Sequence, residues 1–271
     1  MSVWEAALLG LVQGLTEFLP VSSSGHLVLG KHLLNLDTSA ADNVAFDVFV
    51  HFGTVLSILT IYWRTVANIL SDSWRTVLSP SGMKARYREE SGFRVAVFIA
   101  ITLVPTGIVY IIFKEPLEAA FQDPRFVCGM LIVTGTLLVL TLLRRGPSGR
   151  LSPVKAIVIG IAQSAAMLPG ISRSGATICT ALYQNVEPAK AANFSFLMLL
   201  PVVLGATLIK TLEVAEFGIG IGAVPLLVGT FVSYASGVIA IKVVLDFVRR
   251  GSLHYFAYYC FAIGGLGLML I

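Results

Sequence analysis

The fold of this chain is decided by a polar stretch within an apolar region, GLTEFLPVSSSGHL at residues 14–27. It places a carboxylate, three serines and a histidine around a proline and a glycine, although apolar residues flank it on both sides. The 271 residues have a mean hydropathy of +0.85 and only 13% are charged, whereas soluble domains carry about 25%. So few charges cannot coat a soluble globule. The composition therefore indicates a protein that crosses a membrane several times.

This stretch divides the apolar residues 3–36 into two arms, each too short to cross a bilayer alone. Residues 154–186 repeat the pattern, with a break at PGISRSG, residues 169–175. Irregular backbone at membrane depth is tolerated only where it is buried in protein or lines a wet cavity. We therefore expect two re-entrant helix–loop–helix hairpins, the first hairpin over residues 3–36 and the second hairpin over residues 154–186.

Six further stretches are long and apolar enough for transmembrane helices. They are Val44–Trp63, Phe93–Phe113, Phe126–Leu143, Phe194–Leu212, Ile221–Leu245 and Leu253–Ile271. The predicted fold is thus an all-α polytopic membrane protein with six transmembrane helices and two re-entrant hairpins. Lysine and arginine cluster at residues 64–94, 144–155 and 249–250. Basic loops stay in the cytoplasm, so both termini are predicted to face outside.

The two halves of the chain, residues 1–143 and 154–271, each read as one hairpin followed by three spans. Because three is odd, the second half is expected to be inverted relative to the first, and such repeats bind ligands where their broken helices meet. Two short motifs recur at an offset of 150: GLVQ at 10–13 as GIAQ at 160–163, and SSSG at 22–25 as SRSG at 172–175.

Gln13 and Glu17 lie four positions apart, hence on one face of the first arm. A carboxylate at membrane depth is costly and marks a functional site by default. The alternative is that Glu17 snorkels to the interface or caps a neighbouring helix. Pro20 ends this arm, so Glu17 can face the loop rather than lipid.

Ser22, Ser23 and Ser24 offer hydroxyls and free backbone N–H groups at the start of the second arm, where anions are favoured. They could equally be simple helix caps. His26 follows at helical spacing, so the hydroxyl of Ser22 or Ser23 could reach its ring. A serine–histidine pair is the minimum for an activated nucleophile, and the alternative for His26 is a structural hydrogen-bond partner.

Arg173 lies in the middle of the second hairpin, far from the basic loops. Its planar guanidinium suits phosphate oxygens, and Ser172, Ser174 and Thr177 add further donors around it. The alternative is an ion pair with Glu17 that joins the two hairpins, and both roles can coexist. Together the two hairpins predict a site for a phosphorylated substrate.

Oxygen ligands at this site could also hold a divalent cation. Glu17, with Gln13, offers the hard oxygens that Mg²⁺ combines with substrate phosphates. Asp47 and His51, four apart in the first span, either support the site or form a structural pair.

GLTEFLPVSSSGH and PGISRSGAT closely match the two signature stretches of the bacterial undecaprenyl-diphosphatase family, also called bacitracin-resistance proteins. The chain resembles that family over essentially its whole length. The resemblance implies hydrolysis of undecaprenyl diphosphate to undecaprenyl phosphate and phosphate, which recycles the lipid carrier of cell-wall precursors. It also implies a divalent cation, Mg²⁺ or Ca²⁺, and a site that opens to the outer face of the bacterial cytoplasmic membrane.

By the same resemblance, Glu17 matches the acidic metal-associated position, Ser23 the proposed nucleophile and His26 the accompanying histidine. The phosphate-binding segment is matched by Ser172, Arg173, Ser174 and Thr177. Gln13 stands where the family has either Glu or Gln, so a second carboxylate ligand is absent at that position.

The expected partners are undecaprenyl diphosphate and membrane lipid, without nucleic acid, and the oligomeric state is open between monomer and homodimer. In the proposed reaction Ser23, helped by His26, attacks the terminal phosphorus, or His26 activates a water instead. Broken inverted repeats are also typical of transporters. The main alternative is therefore a transporter or flippase of a phosphorylated lipid or anion.

Overall fold

The computed structural model describes residues 1–34, 40–79, 82–88, 91–144, 146, 149–217 and 220–271. Their regular structure is helical, apart from one isolated bridge between Gly149 and Val186. The last two residues of the predicted first hairpin, 35–36, lie outside the described residues. The α-helices are α1 Val3–Phe18, α2 Ser23–Leu33, α3 Ala40–Leu78, α4 Met83–Arg88, α5 Gly92–Ala120, α6 Pro124–Leu140, α7 Pro153–Ala165, α8 Arg173–Tyr183, α9 Pro188–Phe217, α10 Ala223–Arg249 and α11 Tyr255–Leu270.

Among the described residues, five helices are long and apolar enough to cross a membrane: α3, α5, α9, α10, and α6 together with the 3₁₀ turn Thr141–Leu143 that continues it. They confirm a polytopic membrane protein and account for five of the six predicted spans. The sixth prediction, Leu253–Ile271, corresponds to α11, which has 16 residues. At 1.5 Å per residue α11 rises about 24 Å, less than the roughly 30 Å of a bilayer core.

The first predicted span ends too early. Helix α3 continues from Trp63 to Leu78, through half of the segment expected to be a loop. The hydropathy window ends at Arg64, but residues 64–78 contain neither glycine nor proline, so nothing in them breaks a helix. A departure from helical geometry at Tyr62 (φ −110°, ψ 16°) separates the apolar part from the polar extension.

Both predicted helix breaks are confirmed. Helix α1 ends at Phe18, and α2 begins after Ser22, whose hydroxyl accepts a hydrogen bond from the Gly25 N–H at 3.3 Å. We call residues 19–22 the first loop. Helices α7 and α8 repeat the arrangement around residues 166–172, the second loop.

The two loops lie directly against each other. A Cβ atom on Gly25 would lie 3.1 Å from the Cα of Gly170, and one on Gly175 would lie 3.3 Å from the Cβ of Pro20. Residues 20 and 170, like 25 and 175, are 150 positions apart. Each loop therefore packs against the helix start of the other in a reciprocal way. Gly170 has φ +95°, a conformation that side chains with a Cβ rarely adopt.

The first arm of each hairpin packs closely on a helix of the other half. Helix α1 contacts α10, where a Cβ on Gly10 would lie 3.0 Å from the Cα of Gly229. Helix α7 contacts α5, where a Cβ on Gly160 would lie 2.8 Å from the Cα of Thr102. Small residues allow such backbone approach between helices in membranes.

The largest buried apolar cluster joins both halves beneath the loops. At its centre, the rings of Phe18 and Phe196 meet edge to face with centroids 5.5 Å apart. Ile58, Ile178 and Ile241 of α3, α8 and α10 belong to the same cluster and are fully buried. This core holds the end of α1 and the start of α8 against each other.

Candidate active site

Glu17, at the end of α1, is the centre of the site and is only 7% exposed. Its Oε1 accepts a hydrogen bond from Arg173 Nη2 at 3.0 Å. Its Oε2 accepts one from Ser23 Oγ at 2.5 Å and one from Gln13 Nε2 at 3.0 Å. The structure therefore brings together residues that the sequence places 156 positions apart, and the predicted ion pair between the hairpins is present.

Arg173 is the first residue of α8 and its side chain is 13% exposed. Besides the bond to Glu17, its Nη1 donates to the Ser195 carbonyl at 3.0 Å. A guanidinium carries five N–H donors, so these two bonds leave three for a ligand. The ion pair and an anion-binding role are therefore geometrically compatible.

Ser195 of α9 was not found from the sequence. It is 1% exposed, and its hydroxyl lies 2.6 Å from the Thr177 hydroxyl, which in turn donates to the Arg173 carbonyl at 2.8 Å. Thr177 and Ser195 thus hold the arginine through its backbone carbonyl and its guanidinium. The available signal was a serine in the apolar run FSFLMLL at residues 194–200, which alone identifies no partner.

The remaining serines divide into two groups. Ser22 and Ser172 are helix caps, and each hydroxyl accepts from the N–H of the glycine three positions later. The cap hydroxyls also lie near those of Ser24 and Ser174, at 3.4 and 3.2 Å. Ser23 differs, because its hydroxyl donates to the carboxylate. The helix-cap interpretation is therefore confirmed for Ser22, whereas Ser23 contacts the Glu17 carboxylate instead.

Ser22 also has an unusual backbone, with φ +71° and ψ +97°. Residues other than glycine rarely adopt positive φ, and such outliers concentrate at functional sites. This conformation turns the chain sharply between Val21 and the start of α2.

The expected contact of His26 with a serine hydroxyl is wrong. Its Nδ1 lies 2.7 Å from the Ser22 carbonyl oxygen, and its Nε2 lies 2.8 Å from the Tyr259 hydroxyl. Ser22 caps α2 four positions before His26, and at this spacing the histidine ring contacts the Ser22 carbonyl and not its hydroxyl. Ser23 meanwhile turns towards Glu17. Since a carbonyl only accepts, Nδ1 carries the hydrogen and Nε2 is left as the acceptor.

Tyr259 of α11 was also missed. Its ring stacks on His26 with centroids 5.5 Å apart and planes inclined by 11°. It lies 233 positions from the histidine, so no spacing rule connects the two.

His51 lies next to Glu17, as expected if it supports the site. Its Nε2 lies 3.9 Å from Glu17 Oε2, while its Nδ1 bonds to the Asp47 backbone carbonyl at 2.7 Å. The alternative, a structural pair with the Asp47 side chain, is wrong. That carboxylate instead pairs with Lys31 at 2.7 Å and ties α3 to α2.

The oxygen atoms near Glu17 form a sparse set. Gln13 is fully buried and its Oε1 has no hydrogen-bond partner within the described part of the chain. No group of three or more His, Cys, Asp or Glu side chains is placed to hold a metal ion among those residues. Any cation here would need ligands beyond these four kinds of side chain.

The family model described as "Bacitracin resistance protein BacA" matches residues 6–266. The chain belongs to the BacA family. A curated relative from Salinibacter ruber, named "Undecaprenyl-diphosphatase", is 63% identical over 271 residues and is covered, like this chain, over its full length. Relatives of the same name from Halothermothrix orenii and Bacteroides thetaiotaomicron are 36% and 38% identical, over all of this chain and 98% and 99% of theirs. The resemblance seen in the two motifs is therefore confirmed.

Proposed function

We propose that this BacA family member is an integral membrane phosphatase that hydrolyses undecaprenyl diphosphate to undecaprenyl phosphate and phosphate. The observation that carries the proposal is the cluster of Ser23, Glu17 and Arg173, a hydroxyl, a carboxylate and a guanidinium from both hairpins. The names of the full-length relatives support the same substrate. Such an enzyme would recycle the lipid carrier for cell-wall synthesis and confer bacitracin resistance.

The architecture proposed for it is an inverted repeat of residues 1–143 and 154–271, with six spans and two re-entrant hairpins. The reciprocal packing of the loops at an offset of 150 supports this arrangement. The helix packing also supports it. Helix α1 of the first hairpin packs on α10 of the second half, and α7 of the second hairpin packs on α5 of the first half. The site then lies where the two hairpins meet.

The diphosphate is bound by two kinds of donor. Arg173 offers its three remaining N–H groups, and the starts of α2 and α8 add backbone dipoles that favour anions. The hydroxyls around these starts are the additional substrate contacts that we propose: Ser22, Ser24, Ser172, Ser174 and Thr177. Phosphoryl transfer depends mainly on positioning and charge stabilisation, which these donors supply.

Ser23 is the nucleophile in this proposal. Its Oγ attacks the terminal phosphorus and its proton passes to Glu17, whose Oε2 already accepts that hydrogen bond. The bond from the terminal phosphorus to the bridging oxygen breaks, and undecaprenyl phosphate leaves with the bonding electrons. The 2.5 Å contact supports Glu17, rather than His26, as the acceptor of the serine proton.

Water then releases the phosphate. The water oxygen bonds to phosphorus, its proton goes to Nε2 of His26, and the departing Ser23 oxygen recovers its proton from Glu17. His26 suits this step because Nε2 is its basic nitrogen, and the Tyr259 hydroxyl orients the ring until the water takes its place at Nε2. Direct attack by a water activated by His26 is the variant without a phosphoserine.

A divalent cation, Mg²⁺ or Ca²⁺, would fit these oxygen atoms only if the substrate supplied some of its ligands. Glu17 and the unpartnered Oε1 of Gln13 would hold it, and diphosphate oxygens would complete its coordination. Such an ion neutralises charge on the phosphate oxygens when bound. Arg173 already neutralises part of the Glu17 charge, so the protein alone offers a weak site.

The proposed location is the bacterial cytoplasmic membrane, with both termini outside and the site open to the outer face. The basic residues at 64–94, 144–155 and 249–250 support this orientation. Substrate and membrane lipid are the partners that follow from it.

The test is phosphate release from undecaprenyl diphosphate by the purified protein in detergent, with and without a chelator. The proposal requires release, and its loss in Ser23→Ala with folding intact. The transporter or flippase alternative is favoured by the paired broken helices. It predicts binding of the diphosphate with no phosphate released, and that result would overturn the enzyme assignment.

A further inference from the structure

A partly polar cavity lies at the end of α6, formed by residues outside the candidate active site. Its volume is about 270 Å³, and it is lined by Leu140, Leu143, Arg144, Tyr183 and Asn185. The end of α6, the end of α8 and the segment before α7 meet here, and the Gly149 N–H donates to the Asn185 carbonyl. The cavity therefore lies at the junction between the first half of the chain and the second hairpin.

Arg144 is the unusual member of this lining. Its Nε and Nη2 atoms are buried, and neither has a hydrogen-bond partner in the part of the chain that the structure describes. A guanidinium stays charged under all conditions that proteins meet. Buried donors without partners are rare and costly, so a charged group with two of them indicates an anionic ligand.

The other lining residues restrict the kind of anion. Leu140 and Leu143 are apolar and exposed, Leu143 by 74%. The Tyr183 hydroxyl donates to the Leu137 carbonyl, so its ring and not its hydrogen faces the cavity. A free phosphate ion gains nothing from leucine side chains, whereas a lipid places acyl carbon next to its phosphate.

We propose that Arg144 binds the phosphate of an anionic phospholipid in the leaflet at this end of α6. The Nε and Nη2 hydrogens of one guanidinium match two phosphate oxygens in a forked arrangement, and the leucines contact the glycerol and upper acyl carbons. Basic pockets between transmembrane helices are known to hold phospholipid head groups. The bound lipid would brace α6 against the second hairpin, a structural role beyond the proposed phosphatase activity.

The experiment measures binding of phosphatidylglycerol to the full-length protein in neutral detergent by native mass spectrometry. Wild type should retain one lipid, and Arg144→Gln should weaken its Kd by about tenfold, the effect of losing charged hydrogen bonds. Arg144→Lys, which keeps the charge but not the fork, should fall between them. Arg75→Gln, which removes an exposed arginine from α3, is the matched control and should bind as wild type.

Phosphate release reports folding, and it should stay within about twofold of wild type in every variant, since Arg144 lies outside the reaction chemistry. A second measurement needs no variant. A photoreactive phosphatidylglycerol should label wild type within residues 140–144. The proposal is overturned if Arg144→Gln binds the lipid as wild type does, or if Arg75→Gln loses it equally. It is also overturned if inorganic phosphate displaces the lipid at equal concentration, or if the label maps elsewhere.

Discussion

Replacing Arg173 by alanine should damage both the stability and the activity of the protein, for separable reasons. The substitution removes the 3.0 Å contact with Glu17 and the 3.0 Å bond to the Ser195 carbonyl. Both charged side chains are nearly buried, at 13% and 6% exposure. Removing one partner of a buried ion pair costs about 3–5 kcal/mol, because the other charge is left without compensation. A protein of this size should then lose about 6–20 °C in its unfolding midpoint.

The same substitution should lower kcat/KM by about 10²–10³-fold, the usual effect of removing one donor to a developing oxyanion. A double-mutant cycle separates the two effects. Glu17→Gln alone leaves Arg173 charged and uncompensated, whereas Glu17→Gln with Arg173→Ala removes both charges. The double variant should therefore be less destabilised than the sum of the singles, by about 2–3 kcal/mol.

The measurements are thermal unfolding in detergent for all variants and phosphate release from undecaprenyl diphosphate. Arg125→Ala, at an exposed arginine near the start of α6, is the control for loss of a guanidinium. The reasoning is refuted if Arg173→Ala unfolds at the wild-type temperature and turns over within threefold of wild type. Strict additivity in the cycle would refute the ion-pair account alone.

Three further substitutions and one additive test other parts of the account. Ser23→Ala should lower kcat at least 100-fold while substrate binding persists, and trapping with labelled diphosphate should yield phosphoserine in wild type but not in this variant; equal turnover would exclude Ser23. Tyr259→Phe keeps the ring stacked on His26 but removes its hydroxyl, so kcat should fall about 3–30-fold with KM unchanged; a change in KM alone would contradict a positioning role. Gly170→Ala should destabilise the protein by more than 1 kcal/mol in thermal unfolding, because φ is +95° and the added Cβ would meet the Val127 carbonyl; wild-type stability would contradict the loop packing. A chelator should suppress phosphate release and added Mg²⁺ or Ca²⁺ should restore it; full activity in excess chelator would exclude the cation.

The sequence predicted the two helix breaks, and it offered the pairing of Glu17 with Arg173 as one of two alternatives for the arginine. Pro20 and the serine–glycine runs must end and restart helices wherever they lie. An arginine and a glutamate at membrane depth each need a partner of opposite charge, and each could supply that charge to the other. Composition alone sufficed for the all-helical membrane class.

The sequence could not predict contacts that depend on how helices pack. Tyr259 reaches His26 only because α11 lies beside the first hairpin, and Ser195 reaches Thr177 only because α9 packs on α8. The predicted contact of His26 with a serine hydroxyl was wrong for a local reason. Spacing along a helix predicts that two residues are close, but not which atom faces the ring. The extension of α3 beyond Trp63 was missed because hydropathy marks the membrane boundary and not the end of the helix.

We infer that the starts of α2 and α8 share one diphosphate, which lies between Ser23 and Arg173. An experimental structure with a non-hydrolysable methylene diphosphonate analogue of the lipid tests it most directly. We expect the terminal phosphorus about 3–3.5 Å from Ser23 Oγ, the distance of a reactive arrangement, with Arg173 donating to its oxygens. An analogue bound away from both helix starts, with Arg173 contacting only Glu17 and Ser195, would contradict the account.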